Sequence, residues 1–139
     1  MKVAAIDSSV VFSILKGEPE KERWLEMLIQ LKNAGVKLVV CNVVWAEIAN
    51  LYDKEDELVR DLDDLGIAFD PLHSPASFLA GQIFRQYRRA KGPRQRIIAD
   101  FMIGAHAVKQ AIGILTADHG YLRAHFHGLR IIDPDQAWP

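Results

Sequence analysis

Four acids set in otherwise apolar surroundings, Asp7, Glu47, Asp100 and Asp118, are the residues of this chain whose types could do chemistry. Asp100 is the most demanding of them. It stands in Ile97-Ile98-Ala99-Asp100-Phe101-Met102-Ile103-Gly104-Ala105-His106-Ala107-Val108, which is apolar almost all the way round and so reads as a helix buried in a core. A lone ionised carboxylate is costly to bury and is normally paired, protonated or bound to a metal. Gly104 shares its helical face one turn on, where glycine leaves room for a ligand or a neighbouring backbone to come close.

Carboxylates gathered within a few ångströms raise one another's pKa, so a cluster of four makes physical sense when divalent cations neutralise it. A set offering oxygen ligands, with neither His nor Cys, suits Mg2+, with Mn2+ able to substitute. Two such ions about 3.5–4 Å apart can activate a water and stabilise the leaving oxygen of a phosphodiester. Ser9 and Thr116 are hydroxyls beside the acids and are candidates to orient them. Each acid also has a plainer alternative. Asp7 could cap the following helix, Glu47 could lie on a solvated face, Asp100 could cap or balance the dipole of its own helix, and Asp118 could form a turn before Gly120.

The elements that must position these side chains alternate between strand and helix. Short apolar runs at 2–6, 37–41 and 112–116 read as buried strands, with briefer ones at 66–69 and 129–132. Helices are predicted over 10–16 and 20–33, after Asn42, over 53–65, from Pro75 to the Gly92-Pro93 break, and over the Asp100 stretch, with a short helical turn inside the loop 117–128. Continuously apolar strands spaced by helices imply an α/β fold, a central mostly parallel sheet flanked by helices on both faces. In such sheets ligands bind outside the carboxyl ends of the strands. Asp7 and Asp118 each follow a strand, and Glu47 and Asp100 fall in the first turns of helices, so all four are expected on one edge.

At 139 residues, 50% hydrophobic and 25% charged, the chain has an ordinary globular composition and is expected to form one domain over 1–139. No apolar run approaches the ~20 residues of a membrane span and Met1-Lys2-Val3 starts no signal peptide, so a cytoplasmic location without membrane contact is expected. The one cysteine, Cys41, reads as a small core residue. A net charge of −1 excludes a general basic coat, but the charge is sorted into blocks. Residues 53–70 carry eight acids against Lys54 and Arg60, whereas 71–99 hold Arg85, Arg88, Arg89, Lys91, Arg94 and Arg96 with no acid. The basic block could bind substrate phosphates beside the acidic site, or pair with the acidic helix. His106 reads as a hydrogen-bonded core residue, His119 is better placed than His106 to reach substrate without being assigned that role, and His125 and His127 read as loop residues. Trp24 and Trp45 read as core and Trp138 as a surface or dimer contact.

These residues resemble the PIN-domain family, and within it the VapC toxins of toxin–antitoxin pairs. The resemblance lies in the first strand ending on Asp7 with Ser9 two residues later, in Val44-Trp45-Ala46-Glu47-Ile48, in Ala99-Asp100-Phe101-Met102-Ile103-Gly104-Ala105-His106-Ala107, and in Leu115-Thr116-Ala117-Asp118. It implies an α/β/α sandwich in which Asp7, Glu47, Asp100 and Asp118 bind the metal of a Mg2+-dependent ribonuclease acting on RNA. It also implies a homodimer held inactive by a cognate antitoxin. Many relatives place a further acid shortly after the position of Asp118, whereas His119, Gly120 and Tyr121 follow here. Three other classes stay open: a PIN-like nuclease of RNA processing or of structured DNA, a phosphate-monoester hydrolase, and a non-catalytic RNA- or partner-binding module. The monoester chemistry wants a second acid two residues after the first, where Ser9 stands. The binding module would not need four acids on one edge.

Overall fold

Apolar runs, buried on both faces in the three central strands, build the sheet, as parallel strands covered by helices require. In the computed structural model, which describes residues 2–90, 96–118 and 120–135, they are β1 (Val3–Ile6), β2 (Lys37–Val40), β3 (Ile67–Phe69), β4 (Gly113–Leu115) and β5 (Ile131–Ile132). Every pairing is parallel and the strand order is β3-β2-β1-β4-β5. The predicted α/β class is therefore observed, with a sheet that is wholly rather than mostly parallel among the described residues. Registers such as Ala5 beside both Val39 and Ile114 align the carboxyl ends of the central strands.

Between the strands run α1 (Ser8–Leu15), α2 (Lys21–Asn33), α3 (Asn42–Ala49), α4 (Glu55–Asp64), α5 (Ser74–Arg89), α6 (Ile98–Gln110) and α7 (Gly120–His125). From β1 to β3 the chain winds outward one way, then returns past β1 to β4. Right-handed crossovers consequently carry α1 and α2 over one face and α5 and α6 over the other. The reversal lies between β1 and β4, which is where such sheets open a crevice at their carboxyl ends. Gly35 (φ 79°) and Gly66 (φ 72°) supply the left-handed turns that lead α2 into β2 and α4 into β3.

α5 and α6 pack antiparallel, and the last turns of α5 meet the first turn of α6 through aromatic rings. Phe101 is fully buried, with ring centroids 5.6 Å from Phe84, 5.1 Å from Tyr87 and 6.3 Å from Phe126. Offset or edge-on pairs of this kind add about 0.5–1.5 kcal/mol each beyond the area they bury. They anchor the helix that carries Asp100. Trp24 is in the core as predicted, whereas Trp45 is only partly buried, with its ring edge-on to Phe69 at 4.9 Å. Cys41 is buried at the N-terminus of α3. No helix among the described residues is long and apolar enough to cross a membrane.

Candidate functional site

Asp7 directly follows β1 and lies against the end of β4, where its backbone N–H donates to the Leu115 carbonyl at 2.9 Å. It occupies the residue before α1, with the extended backbone of a helix cap, yet its side chain makes no capping bond. The carboxylate is engaged otherwise. Ser9 Oγ and Thr116 Oγ1 both donate to Asp7 Oδ2, each at 2.8 Å. The same hydroxyls accept backbone amides, Ser9 from Ala117 at 3.1 Å and Thr116 from Asp118 at 3.0 Å. Each hydroxyl takes the amide on a lone pair and gives its one proton to Asp7, whose carboxylate can only accept, and the two bonds fix the carboxylate's rotation. Asp7 and Asp118 are thereby joined through one buried threonine.

Glu47 sits on α3, which meets α1 and α6 over the carboxyl ends of the strands. Burial pushes its carboxyl above the ordinary range, a hydrogen bond with the Ser8 side chain opposes this, and the charges of Asp7 and Asp100 push it further up. Its Oε1 is buried with no hydrogen-bond partner among the described residues. Such an atom is costly unless something outside the chain completes it.

Asp100 is the third residue of α6. Its Oδ2 accepts the Ile97 N–H at 2.9 Å while its own N–H donates to the Ile97 carbonyl at 3.0 Å. The capping role given as its plainer reading is therefore present, alongside electrostatic contact with Glu47. Asp118 is more exposed than Asp7, at 44% for its side chain, and its Oδ2 lies 2.9 Å from Arg96 Nη1.

Asp7, Glu47 and Asp100 are thus brought within electrostatic reach of one another, and Asp118 is tethered to them through Thr116. They are not gathered into a ready-made ligand set, since no three His, Cys, Asp or Glu side chains among the described residues stand close enough to hold a metal ion. Asp100 and Asp118 each point an oxygen at a protein donor instead.

Arg85, Arg88 and Arg89 are exposed on the last turns of α5 and, with Gly81 and Phe84, line an open cleft of about 400 Å3. The Arg88 guanidinium lies over the Phe84 ring, 5.7 Å from its centroid. Among the described residues no ion pair joins these arginines to the acids of α4, where Asp61 instead accepts the Tyr52 hydroxyl at 2.7 Å. Arg96, counted in sequence with the phosphate-binding cations, is held by Asp118. Lys91, Arg94, His119 and Trp138 lie outside the described residues.

Several contacts escaped sequence reasoning. Ser8 meets Glu47, although its place between Asp7 and Ser9 was a usable signal. The space beside Gly104 is filled by the Phe126 ring rather than a ligand or backbone, because an added Cβ would lie 2.4 Å from Phe126 Cε2. His106 is the expected core histidine, but its partner is Asp70, whose Oδ2 lies 2.9 Å from Nε2 and also accepts Gln110 Nε2 at 3.1 Å. His125, read as a loop residue, belongs to α7 and packs edge-on to Tyr87.

Residues 4–126 match the family model of the PIN domain. No curated protein sequence matches significantly. Among solved structures, the chain resembles one from DNA-bound VapBC of Salmonella typhimurium, with 17% identity and a TM-score of 0.73 over 96% of this chain and 99% of that one. It also resembles a chain of VapBC2 from Rickettsia felis, solved with a promoter DNA fragment, with 14% identity and a TM-score of 0.72 over 94% and 97%. A toxin–antitoxin complex from Klebsiella pneumoniae aligns with 15% identity and a TM-score of 0.66 over 94% and 97%. At these identities the likeness is one of fold.

Proposed function

The chain belongs to the PIN-domain family, and from that premise we propose that it is a divalent-metal-dependent endoribonuclease, the toxin of a toxin–antitoxin pair. The observation that carries the reading is Glu47: a carboxylate with one oxygen buried and unpartnered, held beside Asp7 and Asp100 against their repulsion. That arrangement is an electrostatic deficit which a cation would remove. Oxygen donors alone fit Mg2+ or Mn2+.

Asp7, Glu47, Asp100 and Asp118 are the residues that would hold the ion. When bound, it supplies positive charge against which a water is activated and the charge developing on a phosphodiester is stabilised. The chain's own contribution is positioning. Ser9 and Thr116 lock Asp7, Ser8 holds one side of Glu47, and the Ile97 amide holds Asp100 at the mouth of α6. The α6 N-terminus adds the partial positive charge of its dipole where the backbone of RNA would pass. Arg85, Arg88 and Arg89 would bind the flanking phosphates, with Arg88 over Phe84 offering a surface on which a base can stack. An antitoxin belongs to the same proposal, supported by the toxin–antitoxin complex among the structures of like fold; a homodimer and a cytoplasmic location are proposed with it.

The test is cleavage of end-labelled single-stranded RNA by the purified chain with Mg2+ or Mn2+ and with chelator, wild type against Asp100→Asn. Metal-dependent cutting lost in the variant is the expected result. Cutting that survives both chelator and substitution would overturn the assignment, as would failure of Mn2+ to bind at all.

A further inference from the structure

We propose that the Arg96 guanidinium is a built-in counter-cation for Asp118 that competes with a divalent metal ion for this carboxylate. The inference rests on the metal-site reading above and deepens it. Residues 96 and 97 are adjacent in the chain and engage two different acids of the cluster. Arg96 Nη1 lies 2.9 Å from Asp118 Oδ2, and the Ile97 N–H donates to Asp100 Oδ2 at 2.9 Å. One dipeptide thereby occupies an oxygen of two of the four carboxylates.

The two engagements differ in chemistry. The Ile97 amide is neutral, and a carboxylate that accepts it keeps its charge and its second oxygen for a cation. A guanidinium is a full positive charge, always protonated, and its hydrogen bond to a carboxylate spends the charge a metal ion would use. A divalent ion arriving at Asp118 also meets Arg96 as a like charge. The backbone of Asp118 has no need to move in this exchange, because its N–H is tied to Thr116 Oγ1 and that hydroxyl is tied to Asp7. Only side chains rotate. Metal binding then frees the Arg96 side chain from Asp118.

The experiment is Mn2+ titration of the full chain by calorimetry, comparing wild type, Arg96→Gln, Asp118→Asn and the double variant, with Asp100→Asn as control. Arg96→Gln is expected to tighten Mn2+ about fivefold, the scale of a partly exposed ion pair, and to have no effect in the Asp118→Asn background. Thermal unfolding without metal confirms that each variant folds, and Mn2+ is expected to raise the Tm of Arg96→Gln more than that of wild type. Unchanged or weaker Mn2+ binding by Arg96→Gln, with binding still lost in Asp100→Asn, overturns the competition and leaves the metal site standing. Absence of Mn2+ binding to every form overturns both.

Discussion

Gly104→Ala is a one-carbon change whose cost follows from the structure. The new Cβ would lie 2.4, 2.7 and 2.9 Å from Cε2, Cζ and Cδ2 of Phe126. Carbon atoms in contact prefer about 3.5–4.0 Å, so the ring must withdraw by roughly 1 Å. It has little room to do so, being 4% exposed and packed against Phe101, which is wholly buried. Adding a methyl to a filled core costs about 1–3 kcal/mol, and a clash of roughly 1 Å against a buried ring belongs in the upper part of that range, about 2–3 kcal/mol. Alanine returns about 1 kcal/mol of helix propensity at a helical glycine. The net loss expected is about 1–2 kcal/mol, which for a domain of this size lowers Tm by about 3–8 °C. Urea unfolding followed by circular dichroism should show a lower midpoint with an unchanged slope. Adding Phe126→Leu should recover part of the loss in a double-mutant cycle, because the two sites share one space. A Gly104→Ala protein as stable as wild type would refute the reasoning and restore the idea that the glycine makes room for a ligand.

Thr116→Val keeps the shape of a fully buried side chain but removes the bond to Asp7 and the acceptor for the Asp118 amide. A loss of about 2 kcal/mol is expected in urea unfolding, and an unshifted midpoint would show that the hydroxyl link carries no weight. Arg88→Ala with Arg89→Ala removes two exposed cations from the cleft. The slope of log affinity against log salt for a single-stranded oligonucleotide should shrink by about 1.4, whereas an unaltered slope would assign the cleft to something other than phosphate. His106 is held below its ordinary pKa first by burial, with Asp70 opposing and His73 adding to the depression. The folded state thus binds fewer protons than the unfolded one, so stability should decline as pH falls from about 6.5 through the depressed value. A variant His106→Gln should lack that segment of the pH–stability curve, and an identical curve would mean that His106 is not the group responsible.

Much of this molecule is determined by its sequence alone because the signals are local. Val3–Ile6, Lys37–Val40 and Gly113–Leu115 are apolar without alternation, and helical periodicity fills the intervals, so a parallel sheet under helices follows from burial requirements. Acids placed directly after strands must lie at the carboxyl edge of such a sheet, which is how Asp7 and Asp118 could be assigned to one rim. Boundaries shifted by a residue or two, since Ser8 rather than Val10 opens α1 and Gln110 closes α6. What only the tertiary structure decided are the pairings between positions far apart in the chain. Thr116 meets Asp7 across 109 residues through the register of β1 with β4, Arg96 meets Asp118, and Phe126 fills the notch at Gly104. Periodicity reports which face of an element is buried. It carries no record of which partner will be there, because that depends on how separate elements dock.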